Sequence, residues 1–146
     1  MAIIYQSATT KYSVEQMYKL VNNVDCYPEF FPMCYGVTIH FCNEHELKAT
    51  LKMISKGFKI EFRTQNSMVK NKQIKINMIQ GPFSNFFGVW NFFTVQEKYC
   101  KITFNAKFDI FSAMVTPWLS AIYKPITKNM INVFCDRARQ IYGKPI

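Results

Sequence analysis

The stretch ELKATLKMISKGFKIEFR, residues 46–63, alternates apolar with charged or polar side chains on both sides of a short break at residues 55–57. A period of two residues is typical of a β-strand with one buried face and one solvated face. A short polar break that contains glycine joins two such strands as a hairpin. The stretch therefore predicts two antiparallel strands that bury Leu47 and Phe62 and leave Lys48 and Lys59 in water.

The same alternation extends to both sides of this hairpin. It predicts further strands at residues 3–9, 37–41, 74–78 and 100–110. The strand near residues 86–95 carries Phe at both parities, and we expect it to be buried on both faces. The polar connections between these strands are short, which favours hairpins and an antiparallel sheet of about six to seven strands.

Residues 12–22 predict a short amphipathic helix after the first strand. Ser13 and Gln16 have the spacing of a capping box. The apolar positions that follow recur at i, i+3, i+4 and i+7, which gives the helix one apolar stripe. These positions are Val14, Met17, Tyr18 and Val21.

Residues 24–32 crowd Tyr27, Phe30 and Phe31 around two prolines, and we call them the aromatic segment. It is too short and too interrupted by proline for a long helix or a central strand. Two interpretations are open: a hydrophobic corner that closes one end of the core, or a lid over an apolar cavity.

The C-terminal third changes to a helical period. Thr116-Pro117 has the pattern of an N-cap followed by proline at the first helical position. Apolar residues then recur every three to four positions, and Pro125 should kink or split the predicted long helix. A curved antiparallel sheet needs one face covered, and this helix is the element large enough to cover it. The expected architecture is α+β, with residues 1–146 forming one domain.

The aromatic content is high, at 16% of the residues with 14 Phe. So much ring volume requires either a thick core or a ligand cavity, and a lipid-sized ligand requires a pocket of several hundred Å³. The candidate cavity residues are Tyr27, Phe30, Phe31, Trp90, Phe92, Trp118 and Ile122.

The chain carries a formal net charge of +9, which indicates polyanionic partners. The strand phases assign seven basic residues to the face that points away from the helix, against Glu46, Glu61 and Asp109. They are Lys48, Lys52, Lys59, Arg63, Lys75, Lys101 and Lys107. With few aromatics expected on this face, binding by shape and charge to folded RNA is favoured over base stacking. The alternative is that these lysines keep the sheet soluble and protect its edges.

No sequence pattern indicates catalysis, a required cofactor or a metal site. The two histidines, His40 and His45, have neither a ligand spacing nor a catalytic partner. The five cysteines form no CxxC pair, which fits a reducing cytoplasm. We find no secretory signal and no apolar run of roughly 18 residues, so an integral membrane protein is not expected. A small-molecule enzyme remains a minor alternative, because it would need an inward-facing acid or base.

Three groups of residues resemble the ribosome association toxin RatA family, which is related to the coenzyme Q-binding proteins within the START-like, or polyketide cyclase-like, superfamily. The first group is SVEQMY (13–18), Leu20-Val21-Asn22, YPEF (27–30) and Pro32. The second is Gly81-Pro82-Phe83, Gly88, Trp90 and Phe92. The third is Asn129-Met130, Phe134, Arg137-Ala138 and Tyr142.

This resemblance implies a START-like helix-grip fold without catalytic residues. It implies a non-enzymatic protein that binds the large ribosomal subunit, blocks its association with the small subunit and inhibits translation as the toxin of a toxin–antitoxin type system. An antitoxin would be a further partner, and DNA would not be one. The alternative is a carrier that binds ubiquinone, or another polyprenyl quinone or lipid, in support of respiration. Pro125 departs from the unbroken helix that the resemblance implies.

Overall fold

The computed structural model describes residues 2–55, 57–81, 83–110 and 130–143. The chain begins with strand β1, Ala2–Thr10, followed by helix α1, Val14–Asn22, and a 3-10 helix, Val24–Glu29. Six strands follow: β2 Cys34–Cys42, β3 Glu46–Ser55, β4 Phe58–Val69, β5 Gln73–Gln80, β6 Phe83–Gln96 and β7 Tyr99–Ile110. A second helix, α2, is described over residues 130–142. Neither helix, as far as the described residues extend, is long and apolar enough to cross a membrane.

The seven strands form one antiparallel sheet in the order β1-β7-β6-β5-β4-β3-β2. Helix α1 and the 3-10 helix connect the two edge strands, and they contact β6, β7 and β2 on one side of the sheet. Register shifts interrupt the β2–β3, β4–β5 and β6–β7 ladders, and such bulges bend a sheet. The predicted curved antiparallel sheet with small helices after β1 is confirmed.

The inner face of the sheet, which faces α1 and α2, carries the core. Along β7 the inward side chains from Cys100 to Phe108 are at most 1% exposed, while Lys101 and Lys107 point to the other side. Burying each large apolar side chain stabilises the fold by about 1.5–3 kcal/mol. The alternation read from the sequence therefore corresponds to the real division between the core and the outer face.

Helix α1 begins with the predicted capping box. The Gln16 amide donates to Ser13 Oγ at 3.2 Å, and the Ser13 amide donates to Gln16 Oε1 at 2.9 Å. Its apolar stripe is buried against the sheet, with Met17 fully buried. The reciprocal cap satisfies two amides that would otherwise lack partners at the start of this short helix.

Helix α2 packs on the inner face through Ile131, Phe134 and Ala138, which are all buried. Tyr142 donates its hydroxyl to the Gln16 carbonyl at 3.1 Å, which joins α2 to α1. The helix ends at Gly143, whose φ of 75° lies in the left-handed region that favours glycine. The predicted cap at Thr116-Pro117 and the predicted kink at Pro125 lie outside the described residues.

The expectation that β6 is buried on both faces is wrong. Phe86, Trp90 and Phe92 point inward, but Phe87 and Phe93 are exposed on the outer face. In the described part of the chain both helices lie on the inner side of the sheet. Phenylalanine at both parities therefore marks an exposed aromatic surface here, which periodicity alone cannot distinguish from a covered one.

Replacing Phe134 by alanine should cost about 3–5 kcal/mol of unfolding free energy, because its ring is 1% exposed and meets four other aromatic rings. Urea denaturation followed by circular dichroism measures the loss. Ile141→Ala on the same helix is the control, because that side chain is half exposed and should change stability by less than about 0.5 kcal/mol. A cost below 1 kcal/mol for Phe134→Ala would contradict the packing described here.

Candidate functional site

An apolar cavity of about 110 Å³ lies between the inner face of the sheet and α2. Strands β3 to β7 form its floor, and residues of the aromatic segment and of α2 form its other described walls. The described residues that line it are Tyr27, Phe31, Leu51, Met53, Phe62, Thr64, Ile76, Met78, Phe86, Trp90, Phe104, Met130 and Phe134. An engineered cavity of about 150 Å³ with apolar walls binds benzene, so this smaller cavity has room for at most a group the size of one ring.

Polar groups are scarce among these lining residues. The hydroxyl of Tyr27 donates to the Val21 carbonyl, and burial raises the pKa of this phenol well above its ordinary value. Thr64 supplies the other hydroxyl and is itself buried. The described lining therefore contains neither a carboxylate nor an imidazole, and it is suited to holding an apolar group rather than to moving a proton.

The aromatic segment is folded against α2. The Phe30 and Phe31 amides both donate to the Tyr27 carbonyl, at 3.1 and 2.7 Å, which makes a tight turn. Tyr27 stacks on Phe31 with ring centroids 5.3 Å apart, and Phe134 meets the Tyr27 ring edge-on at 5.5 Å. These contacts make the segment one wall of the cavity.

Arg137 ties the aromatic segment to α2 from the outside. Its Nη2 lies 3.1 Å from Glu29 Oε1, and its guanidinium stands 5.0 Å from the centre of the Phe30 ring. The Arg137 side chain is only 16% exposed, whereas that of Glu29 is 60% exposed. Arg137 therefore links the aromatic segment to α2 through one ion pair and one ring contact.

The candidate cavity residues separate into three groups. Tyr27, Phe31 and Trp90 line the cavity. Phe30 lies outside it, between Phe134 and Arg137, and Phe92 packs on Tyr18 of α1 at 5.6 Å. Trp118 and Ile122 lie outside the described residues.

The lining residues on β3, β4 and β5 were not predicted as cavity residues from the sequence, although the alternation placed most of them on the buried face. The alternation was the available signal, because every inward side chain near the middle of a curved sheet faces the cavity. The volume is smaller than the several hundred Å³ expected. Bulky side chains, including Trp90, Phe104 and Phe134, occupy most of the space that the curved sheet encloses.

The outer face carries all seven basic candidates, but their surroundings differ. In the β2–β4 half, Lys48 Nζ lies 3.7 Å from Glu46 Oε1. Lys52 of β3 is directly opposite Glu61 of β4. The Lys59 ammonium stands 5.6 Å from the centre of the Tyr35 ring. Arg63 is exposed opposite Thr50. The positive charge of this half is thus partly compensated by neighbouring carboxylates.

In the β5–β7 half the lysines have neutral cross-strand neighbours. Lys75 lies between Ser67 and Val89. Lys101 lies between Thr9 and Phe93, and Lys107 between Ile3 and Phe87. Asp109 lies two residues from Lys107 on the same strand and offsets part of its charge. The charges of Lys75 and Lys101 are available to an external anion.

The expectation that few aromatics lie on the outer face is wrong. Among the described residues of this face, five rings are exposed: Tyr5 at 62%, Phe93 at 51%, Tyr35 and Phe41 at 46%, and Phe87 at 38%. The prediction failed because apolar residues were assigned to the interior by type. The cross-strand register shows that Phe87 and Phe93 share the parity of the outward lysines.

Four of the five cysteines are buried or partly buried, as core residues are. Cys100 is 0% exposed, and burial raises its pKa to about 11. Cys42 is exposed on the edge strand β2. Across the described ranges, no three His, Cys, Asp or Glu side chains come together as a metal site.

Cys42 should react with iodoacetamide in the native protein at pH 8 well before Cys100. A thiol with a pKa near 11 is only about one part in a thousand thiolate at that pH, and its burial blocks the reagent as well. Mass spectrometry of peptides after timed quenching measures both rates, and unfolding in urea serves as the control that exposes both thiols. Equal native rates would contradict the described core.

Replacing Arg137 by leucine should loosen the aromatic segment, because it removes the Glu29 ion pair and the Phe30 contact together. Amide hydrogens of residues 24–31 should exchange about threefold to tenfold faster, measured by mass spectrometry. Arg139→Leu is the matched control on the same helix, since its ion pair with Asp136 is exposed at both ends. Unchanged exchange in the Arg137 variant would contradict the role of Arg137 in holding the aromatic segment against α2.

Known proteins are similar to this chain in sequence and in fold. The family model described as "Polyketide cyclase / dehydrase and lipid transport" matches residues 10–135. The ribosome association toxin RatA of Escherichia coli is 32% identical over 140 residues, with 96% of this chain and 89% of that protein covered. The coenzyme Q-binding protein COQ10 homolog B, mitochondrial, of Xenopus laevis is 24% identical, with 95% of this chain and 59% of that protein covered.

A solved structure with this fold is the Zhui aromatase/cyclase from Streptomyces sp. R1128, which superposes with a TM-score of 0.81. It is 14% identical, with 96% of this chain and 95% of that chain covered. At this identity the likeness concerns the fold alone. The family model and the RatA relative both extend over most of the chain. The chain therefore belongs to the START-like polyketide cyclase / dehydrase and lipid transport family, in the group that contains the ribosome association toxin RatA.

Proposed function

We propose that this protein is a non-enzymatic, RatA-like toxin that acts in the cytoplasm on the large ribosomal subunit. It binds that subunit through the outer face of its sheet and blocks joining of the small subunit, which inhibits translation. The observation that carries the proposal is similarity to RatA proteins at 32–34% identity over about 96% of this chain. As in toxin–antitoxin type systems, an antitoxin would be its second protein partner.

Electrostatics supports the outer face as the binding surface. Seven basic side chains share this face with three acidic ones. The basic side chains of the β5–β7 half have neutral cross-strand neighbours. Ribosomal RNA presents a dense array of phosphates, and lysine contacts to phosphates release counterions and drive binding. The inner face, in contrast, is occupied by the core and the two helices.

A binding role is also supported by the chemistry of the cavity. Its described lining offers Thr64 and a phenol already committed to the Val21 carbonyl. General acid–base catalysis needs a titratable group near the operating pH within reach of the substrate. We therefore assign no catalytic residue.

Hydrophobic ligand binding is the second candidate function, and the apolar cavity favours it. The relative named a coenzyme Q-binding protein points to ubiquinone or another polyprenyl lipid. The cavity of about 110 Å³ accommodates one ring, so a prenyl chain would require the aromatic segment or α2 to move. Organic extraction of the purified protein followed by mass spectrometry tests this function. Repeated recovery of protein without lipid would count against it.

Added protein should shift ribosomes toward free subunits in sucrose-gradient sedimentation, and it should comigrate with the large subunit. The triple change Lys75→Gln, Lys101→Gln and Lys107→Gln should weaken this binding strongly. It should also reduce the slope of log affinity against log salt by about two to three. Unchanged subunit association with the unmodified protein at physiological salt would sink the proposal.

The matched control carries the same loss of charge elsewhere, as Lys11→Gln, Lys19→Gln and Arg139→Gln. These side chains are exposed but belong to the loop before α1, to α1 itself and to α2. Binding should survive in the control. If the outer face makes about six phosphate contacts, the affinity of the unmodified protein for the subunit should fall on the order of a thousandfold between 50 and 200 mM salt. An equal effect of both triple variants would assign the binding to net charge rather than to the outer face.

A further inference from the structure

The outer face of β1, β7 and β6 arranges rings and lysines in regular rows. In one row Lys107 lies between Ile3 and Phe87, and in another Lys101 lies between Thr9 and Phe93. Between these rows, Asn105 lies beside Tyr5 of the edge strand. We call Tyr5, Phe87, Phe93, Lys101 and Lys107 the sheet platform.

The platform combines two surface properties that are separately ordinary. Exposed apolar patches on a folded protein mark interaction sites. Here the patch is interleaved with ammonium groups whose cross-strand neighbours are uncharged, so a purely apolar partner would have to desolvate those charges. A partner that offers flat apolar surfaces together with negative charge matches both properties.

Unpaired nucleotides have this combination, since every base has a flat π-face and every linkage carries a phosphate. Aromatic side chains on a sheet are a known way for a protein to stack splayed RNA bases. On the platform, Tyr5 and Phe87 are separated by two strand spacings and two residues, which is roughly 12 Å. Lys107 lies on β7, between the two strands that carry these rings, where a phosphate linking stacked nucleotides would pass.

We propose that the sheet platform binds unpaired RNA, stacking bases on Tyr5 and Phe87 while Lys101 and Lys107 contact the phosphates. Exposed Asn105 offers an amide to a base edge next to Tyr5. This inference rests on the proposed function and specifies its partner: a single-stranded loop or bulge of RNA rather than a duplex. In a duplex the bases are stacked on one another, so only the lysines could engage it.

Fluorescence anisotropy with a labelled 12-nucleotide oligouridylate and with an RNA hairpin stem of equal charge tests the proposal. The unmodified protein should bind the oligouridylate more tightly than the stem. Tyr5→Ala and Phe87→Ala should each weaken oligouridylate binding about fivefold to a hundredfold and leave the salt slope unchanged. Lys107→Gln should instead lower the slope by about one.

Two variants serve as controls. Phe41→Ala removes a ring whose exposure lies between those of Phe87 and Tyr5, at the opposite edge of the same face beside Lys48, and should leave affinity unchanged. Tyr5→Phe keeps the stacking surface and should retain affinity for the oligouridylate. Denaturation midpoints verify that each variant is folded, and the rings are exposed enough that truncation should change stability little.

Three outcomes would overturn the inference. Equal binding of the stem and the oligouridylate would leave only charge. If Tyr5→Ala and Phe87→Ala bind the oligouridylate like the unmodified protein, stacking is excluded. The proposed function would still stand if the protein comigrated with the large subunit. Self-association that Tyr5→Ala abolishes would assign the platform to a second copy of this chain. Conversely, ring-dependent oligouridylate binding without any effect on subunit association would uphold the platform and refute the proposed function.

Discussion

The packing of Phe134 on the aromatic segment is the interaction on which the rest of the structure depends. Its ring contacts Tyr27, Phe30 and Phe31 on one side and Trp90 of β6 on the other. One side chain of α2 thereby joins the 3-10 helix to the centre of the sheet. Because β2 contacts that 3-10 helix, the same contact also holds an edge strand in position.

In the part of the chain that the structure describes, helices cover one face of the sheet, and this has a consequence for both faces. The inner face must bury its apolar side chains against two helices, and the curvature leaves a cavity of about 110 Å³ where side chains do not fill the space. The outer face has no such covering in the described residues, so its composition is not constrained by packing. Lysines and exposed rings can accumulate there at little cost to stability.

Binding chemistry is divided between these faces. The cavity offers apolar contact, and its phenol is already hydrogen-bonded, so it selects for apolar shape. The platform side of the outer face offers charge and flat aromatic surface in alternation. The two surfaces lie on opposite sides of β6, where Phe86 points to the cavity and Phe87 to solvent. The proposed cavity ligand and the proposed RNA partner would therefore occupy separate surfaces.

The sequence by itself determined the strands that alternate clearly, the phase of their side chains and the start of α1. Alternation at Leu47–Met53 and Phe58–Phe62 specified a hairpin with one buried side, and Ser13 with Gln16 specified the start of α1. These features are local, since the period and the cap depend on residues a few positions apart. Of the candidate cavity residues, Tyr27 and Phe31 were predicted from the crowding of rings in the aromatic segment, and Trp90 from a strand expected to be buried.

Tertiary structure alone decided which rings share a space. Phe92 faces α1 and Phe30 lies under Arg137, although both looked like cavity residues from their type. Phe87 and Phe93 are in water because no described helix covers their side of β6, and nothing in residues 86–95 records which face is covered. The cavity volume likewise depends on how Trp90, Phe104 and Phe134 interdigitate across elements far apart in the chain, which is a property of packing and not of any local pattern.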